Sequence, residues 1–437
     1  MSDYTVAVKY AMIFFMITIL IEWVASKIMK VKVYNTLDTI SSVSSGMTNN
    51  IKSILKLTVV VISYQWMYEH LSIFEIESSW WVYIIAFIGI DFANYWTHRW
   101  NHEYNILWNR HIIHHSSEEY NLACALRQSI SSIVQIYFFL YIPLAVIGIP
   151  TKVITVLLPL HLFAQFWYHT KLIKHMGFLE KIIVTPSHHR VHHAINSIYI
   201  DKNYASIFIF WDFMFGTFQK ELASEPPVYG MLKPARTWNP ILINFTHALQ
   251  LFKDAFRTKN FIDKFKIWFM PTGWRPSDVE TLYPIGIIKN PYNYEKYNPK
   301  KNRFINFWCS FQLIIHLGMQ FHIIYLINIL GEGEVNIDGI LSGYQILIFY
   351  GLFFTISIWS FTLLMDQSRY ALVLELIKNL IGFTIVFYFP EALNVYQGIN
   401  IPYLFVVYYL IISQFITIYF YFKIKKDEKI TGLETSS

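Results

Sequence analysis

Three short runs hold most of the chemistry this chain can do: HRWNH over 98–102, HIIHH over 111–115 and HHRVHH over 188–193. Within each run histidines recur three or four positions apart. On a helix that spacing sets side chains on one face, about 5–6 Å apart at Cβ. Each run can therefore turn two or three imidazoles toward one point. His98, His102, His111, His114, His115, His189, His192 and His193 outnumber the positions of one octahedral ion, and also the ligands of a closed structural zinc site. Two metal ions with coordination positions left open suit them better. Imidazole accepts iron, zinc or copper, so the ligand type does not choose the metal. His169 and His188 stand close enough in sequence to join as further candidate ligands. The isolated His70, His161, His247, His316 and His322 are read as hydrogen-bonded polar residues or cations near helix ends.

Ligating imidazoles usually donate their second N–H to a carboxylate or carbonyl. Asp91, Glu103, Glu118, Glu119, Asp201 and Asp212 lie on or beside the runs and are the carboxylates expected in that role. Asp91 falls near the end of an apolar segment, where an unpaired charge is costly.

The elements that position these residues belong to a membrane. Of 437 residues 54% are apolar or aromatic and 15% charged, and the mean hydropathy is +0.36. A soluble domain is nearer 25% charged. Disorder, a coiled coil and an ordinary soluble enzyme are thereby excluded. The two cysteines, Cys124 and Cys309, make neither a disulfide framework nor a thiolate metal site. A net charge of +6 with no basic run gives no footprint for nucleic acid.

The predicted fold is all-α and polytopic, with about nine spans of the roughly 20 residues a helix needs to cross a bilayer. They fall near 8–26, 52–70, 80–97, 128–148, 152–170, 305–329, 342–364, 370–390 and 402–423. The first reads as a span and not a cleaved leader, since no basic leader or small-residue cleavage site accompanies it. The polar stretch 171–303 holds roughly twice as many basic as acidic residues, which puts it in the cytoplasm. Lys27, Lys30, Lys32, Lys423, Lys425 and Lys426 agree, while 331–340 and 390–401 carry only acids: Glu332, Glu334, Asp338 and Glu391. An outside N-terminus and nine crossings satisfy all of these. The histidine runs then meet at the cytoplasmic boundary, past the span ends. A histidine-lined transporter would place such a site nearer the bilayer midplane. The expected division is 1–79 N-terminal transmembrane helices, 80–225 catalytic region, 226–303 cytoplasmic loop segment, and 304–437 C-terminal transmembrane helices with a basic tail.

In this order and setting the runs resemble the fatty acid hydroxylase/sterol desaturase superfamily of membrane di-iron enzymes. The longer strings HRWNHEYN (98–105), HIIHHSSEEYNL (111–122), ALRQS (125–129), QFWYHT (165–170), TPSHHRVHH (185–193), DKNYA (201–205) and FGTF (215–218) resemble its alkylglycerol monooxygenase branch. The likeness is dense from about 88 to 221 and general elsewhere. It implies O2-dependent hydroxylation of the ether-bonded carbon of a 1-O-alkylglycerol, giving fatty aldehyde and glycerol. It also implies a pair of irons on the eight clustered histidines and tetrahydrobiopterin as electron donor, with a pterin-recycling reductase as partner and Glu103 as a pterin-associated catalytic residue. The lipid substrate would come from the bilayer, of the endoplasmic reticulum in a eukaryote or the inner membrane in a bacterium, to a site facing the cytoplasm. The alternative within the superfamily is a sterol, fatty acid or sphingolipid hydroxylase or desaturase fed by cytochrome b5.

Overall fold

The computed structural model describes residues 3–299, 302–330, 343–388 and 403–431, so the acidic loops expected at 331–340 and 390–401 lie outside the described residues. Helix α1 (Asp3–Ile28) is apolar around most of its circumference, as a lipid-facing helix is. A turn through Lys30 (φ 56°) leads to α2 (Thr36–Ile54), whose first turn is capped by the Asn35 side chain accepting from Leu37 N–H. α2 buries Ser41, Ser42, Ser44 and Ser45, small residues that let neighbouring backbone approach closely.

The second expected span, 52–70, is not one helix. Lys56 adopts φ 51°, and the β-branched pair Val59–Val60 runs extended, pairing in parallel with Val134–Gln135. Helix α3 (Tyr64–Leu71) follows. α4 (Trp80–Glu103) is long but carries Asp91, Arg99 and two histidines from its middle onward. Short α5 (Asn105–Trp108) and α6 (Ile112–His115) come next. The expected spans at 128–148 and 152–170 reduce to α7 (Ile142–Ile147) and α8 (Thr151–Phe163). At 1.5 Å per residue these measure about 9 Å and 20 Å, short of a hydrocarbon core of about 30 Å. They are joined through Gly148, whose φ of 91° is open to glycine and strained for other residues. Leu144, Ile149, Val153, Ile154 and Leu157 then pack on Val82, Ala86 and Ile90 of α4. At Gly89 a Cβ would meet a Leu144 methyl at 2.6 Å, so glycine is what lets α7 seat against α4.

Beyond these come α9 (Pro186–His192), α10 (Phe210–Met214), α11 (Pro240–Arg257), α12 (Phe261–Lys266) and α13 (Ser277–Leu282). The chain ends in α14 (Arg303–Leu330), α15 (Gly343–Met365), α16 (Ala371–Tyr388) and α17 (Tyr403–Thr431), which pack in sequence order. α2 lies against α14 and α15, burying Met47, Ile51, Cys309, Phe354 and Ile358 in the largest apolar core.

The all-α polytopic fold is borne out, and the protein is integral to a membrane. Five helices among the described residues are long and apolar enough to cross it: Lys9–Ile28, Arg303–Ile327, Gln345–Met365, Ala371–Tyr388 and Leu404–Lys426. The first, sixth, seventh, eighth and ninth expected spans correspond to them. The four in between are broken by a strand, a charged helix and the turn at Gly148 between two short helices.

Candidate metal centre

α4 delivers His98 and His102, four residues apart on one face near its C-terminal end. The chain turns at Tyr104, then brings His111 as the cap of α6 and His114 and His115 from α6 itself. α9 begins at Thr185 with Pro186 at its first position, and the Thr185 side chain and His188 form a reciprocal cap. That start fixes the phase of α9, so His189 and His192 face the centre, and His193 follows as its C-terminal cap. His169 arrives from the turn after α8.

These side chains form two groups. His98, His102, His111, His115 and His192 make one, and His114, His169, His189 and His193 the other; within each, one ring nitrogen from every residue lies within 4.8 Å of those of all the others. Nε2 atoms face each other at 2.9 Å (His98 and His111), 3.1 Å (His115 and His192), 3.0 Å (His169 and His189) and 3.3 Å (His114 and His169). The groups adjoin, since His115 and His193 stack with ring centroids 4.3 Å apart. So the eight clustered histidines and His169 come together. His188 does not: its Nδ1 takes the Thr185 N–H, which makes it a helix cap.

Three of them have their second nitrogen held by a backbone carbonyl. His98 Nδ1 bonds to the Tyr204 carbonyl at 2.7 Å, His192 Nδ1 to that of Lys202 at 3.0 Å, and His169 Nδ1 to that of Phe166 at 3.3 Å. Such bonds fix the tautomer that presents Nε2 with its lone pair to a metal. The carboxylates expected here act one step further out. Asp212 accepts from Tyr204 N–H, Ala205 N–H and the Thr217 hydroxyl, locking the loop whose carbonyls hold His98 and His192. Burial pushes the Asp212 carboxyl up to about 6. Asp91 takes His161 Nε2 at 2.7 Å, the N–H groups of Ile207 and Phe208, and Trp211 Nε1. His161 is thus the hydrogen-bonded residue it was read as. Glu118 takes the Tyr294 hydroxyl and Tyr297 N–H, Glu119 takes Lys296 at 2.8 Å, and Glu103 takes Arg99 Nε at 2.8 Å. Asp201 occupies the left-handed turn (φ 60°) that starts the same loop.

Burial holds the imidazoles neutral, the form that binds metal. It lowers His98 to about 4 and His169 to about 3, and pushes the other seven well below their ordinary value. His102 Nε2, His114 Nδ1 and His189 Nδ1 are buried without a hydrogen-bond partner. Orphaned imidazole nitrogens and facing Nε2 pairs are the mark of a set suited to metal binding. Nine neutral nitrogen donors in two adjoining groups fit a pair of metal ions.

Sequence reasoning missed two supports. Arg127 is fully buried against Asp38 of α2 at 2.9 Å and also reaches Ser42 and Ser116, while Ser117 donates to Asp38. This ties the segment after α6 to α2. Glu22 of α1 accepts from the Tyr34 hydroxyl, Leu122 N–H and the Thr170 hydroxyl, gripping the turn next to His169. An acid inside the first apolar run was the available signal for Glu22; Asp38 in a serine-rich stretch gave none.

Comparison with known proteins agrees with this geometry. A family model described as fatty acid hydroxylase matches residues 83–217, the stretch holding every histidine of both groups. Alkylglycerol monooxygenase of Xenopus tropicalis is 32% identical over 400 residues, covering 91% of this chain and 84% of that protein. Its Homo sapiens counterpart is 43% identical over 271 residues, 62% of this chain and 60% of that protein, so the match spans under two thirds of the human relative. The ornithine lipid hydroxylase OlsE of Rhizobium tropici is 28% identical over 136 residues, 31% of this chain and 41% of that protein. No solved structure matches.

Proposed function

The chain belongs to the alkylglycerol monooxygenase family, and from that premise we propose that it hydroxylates the ether-bonded carbon of 1-O-alkylglycerols with O2. One oxygen atom enters a C–H bond beside the ether oxygen, and the other leaves as water with electrons and protons from a donor. The hemiacetal so formed falls apart to a fatty aldehyde and glycerol. The observation that supports this most is the convergence of nine buried or half-buried imidazoles into two adjoining groups.

We assign those groups a pair of irons, which when bound would supply the oxidant that an unactivated C–H bond demands. The chain's own part is to hold and to exclude. Carbonyls of Tyr204, Lys202 and Phe166 keep three imidazoles in the ligating tautomer. Burial of the set keeps water away from it. Tetrahydrobiopterin is the proposed electron donor, renewed by a pterin-recycling reductase. Glu103, part-exposed at the end of α4 and braced by Arg99, is its proposed contact, since a carboxylate accepts from the N–H edge of a pterin ring. The substrate is taken to arrive from the bilayer at a cytoplasm-facing site within residues 80–225, in endoplasmic reticulum or bacterial inner membrane.

The test supplies membranes containing the protein with a 1-O-alkylglycerol and O2, adding tetrahydrobiopterin in one arm and reduced cytochrome b5 in another. Aldehyde formed with the pterin alone is the expected result. Turnover only with cytochrome b5 overturns the donor, and loss of aldehyde together with iron absent from the purified chain overturns the oxygenase reading.

A further inference from the structure

Residues 240–270 were expected to be cytoplasmic loop, yet they fold into two helices whose outer face is apolar. On α11, Leu242, Phe245, Leu249, Phe252 and Phe256 recur at intervals of three and four, so they form one stripe along the helix. On α12 and just after it, Phe261, Ile262, Phe265 and Phe269 continue the surface. These side chains are between 36% and 82% exposed, although neither helix is among the five long enough to span a membrane. Phe252 packs edge-on to Trp268 with centroids 4.8 Å apart, which joins the two helices into one unit.

The exposed charges on this unit have one sign. Lys253, Arg257, Lys259 and Lys266 are exposed, whereas Asp254 is buried in an ion pair with Arg275 at 2.7 Å and Asp263 is half-buried. An apolar stripe bordered by exposed cations is the pattern of a helix lying in the headgroup region of a bilayer. A monomer rarely leaves so large an apolar patch to water.

The opposite face of the unit holds the histidine-bearing chain. His247 of α11 donates to the Asn105 carbonyl at 3.0 Å. Asn105 donates to the carbonyls of Ile267 and Trp274 and accepts from Gly273 N–H, while Ile106 N–H bonds to the Trp268 carbonyl. The junction between the first two histidine runs is therefore pinned to the turn after α12.

We propose that α11 and α12 form a membrane-surface element whose partner is the lipid bilayer that the five spans cross. Their aromatic stripe is immersed at the headgroup–acyl boundary, and Lys253, Arg257, Lys259 and Lys266 meet anionic headgroups. Through Asn105 the element sets the height of the histidine groups over that boundary. Nothing in this depends on which reaction the histidines carry out.

The test places a fluorescent label on Phe256→Cys, Phe265→Cys and, as a polar exposed control, Lys220→Cys, in full-length protein in nanodiscs containing phosphatidylglycerol. The natural Cys124 and Cys309 are buried, so labelling is selective. Labels at 256 and 265 are expected to be quenched several-fold more by lipids brominated near the top of the acyl chain than by aqueous iodide, with the reverse at 220. Adding Leu249→Glu should shift the label at 265 toward iodide, and Leu249 is 54% exposed, so folding is not at stake. Iodide quenching at 256 and 265 equal to that at 220 overturns the proposal. So does disulfide cross-linking of two chains through Phe256→Cys, which would assign the stripe to a second copy.

Discussion

His169 and His188 look alike in sequence, each lying beside a histidine run, yet their roles separate on one nitrogen. His169 Nε2 faces His189 and His114, whereas His188 Nδ1 accepts from Thr185 at the start of α9. On the proposed iron site, His169→Ala should lower iron, measured per chain by mass spectrometry, toward half. His188→Ala should keep iron and lose about 1 kcal/mol of stability, the usual worth of a cap. Equal iron loss in both would refute the distinction. Arg127 makes the same point for charge. Burial raises the Asp38 carboxyl while Arg127 opposes that shift, so Arg127→Met strands a buried acid and should cost ~3–5 kcal/mol, read as a fall in Tm. Replacing both partners, with Asp38→Leu added, should recover much of it, because no charge is then left unpaired.

At the scale of elements, loops of the metal centre are held by helices far away in sequence. α1 does so through Glu22, whose carboxylate gathers Leu122 and Thr170. Glu22→Ala should release the turn carrying His169 and lower iron content without removing the first group's share; unchanged iron would show that the turn stands without it. α11 does so through His247. Burial lowers that imidazole to about 4, against a weaker opposing bond to Asn105. The unfolded chain takes up its proton below about 6.5 and the folded chain only near 4. The stability supplied by the neutral form is thus full above 6.5 and lost as pH falls from 6.5 through 4. His247→Gln should flatten the fall of Tm across that window relative to the natural chain, and parallel curves would refute it.

Two buried polar clusters among the described residues bear on the stability of the whole molecule. The metal centre is one. The other is inside the C-terminal helices, where buried Lys378 pairs with Glu375 and bonds Ser413 at 2.6 Å, and Glu375 takes the Ser360 hydroxyl at 2.7 Å. The pair joins α15, α16 and α17 where charges are costly. Lys378→Met should therefore unfold the protein at lower temperature while leaving iron per chain unchanged. Joint loss of both would mean that the bundle and the metal centre are one cooperative unit.

The histidine spacing, the apolar composition and the ends of the long terminal helices were legible in the sequence, because helical periodicity and hydropathy are local properties. So was the grouping of the eight clustered histidines, since i, i+3 and i+4 neighbours share a face in any helix. The middle spans were not. Apolar runs at 52–70, 128–148 and 152–170 match span length, but Lys56 and Gly148 enter left-handed turns and the pieces pack on α4 instead of crossing singly. Nor could the sequence decide between carboxylates and carbonyls as supports of the imidazoles. Carbonyl positions depend on how the loop at 201–205 folds around Asp212. The outward aromatic stripe of α11 has ordinary amphipathic spacing, and only tertiary packing decided which face was left uncovered. Local pattern gives each helix its apolar side; what that side meets depends on contacts between residues a hundred or more positions apart.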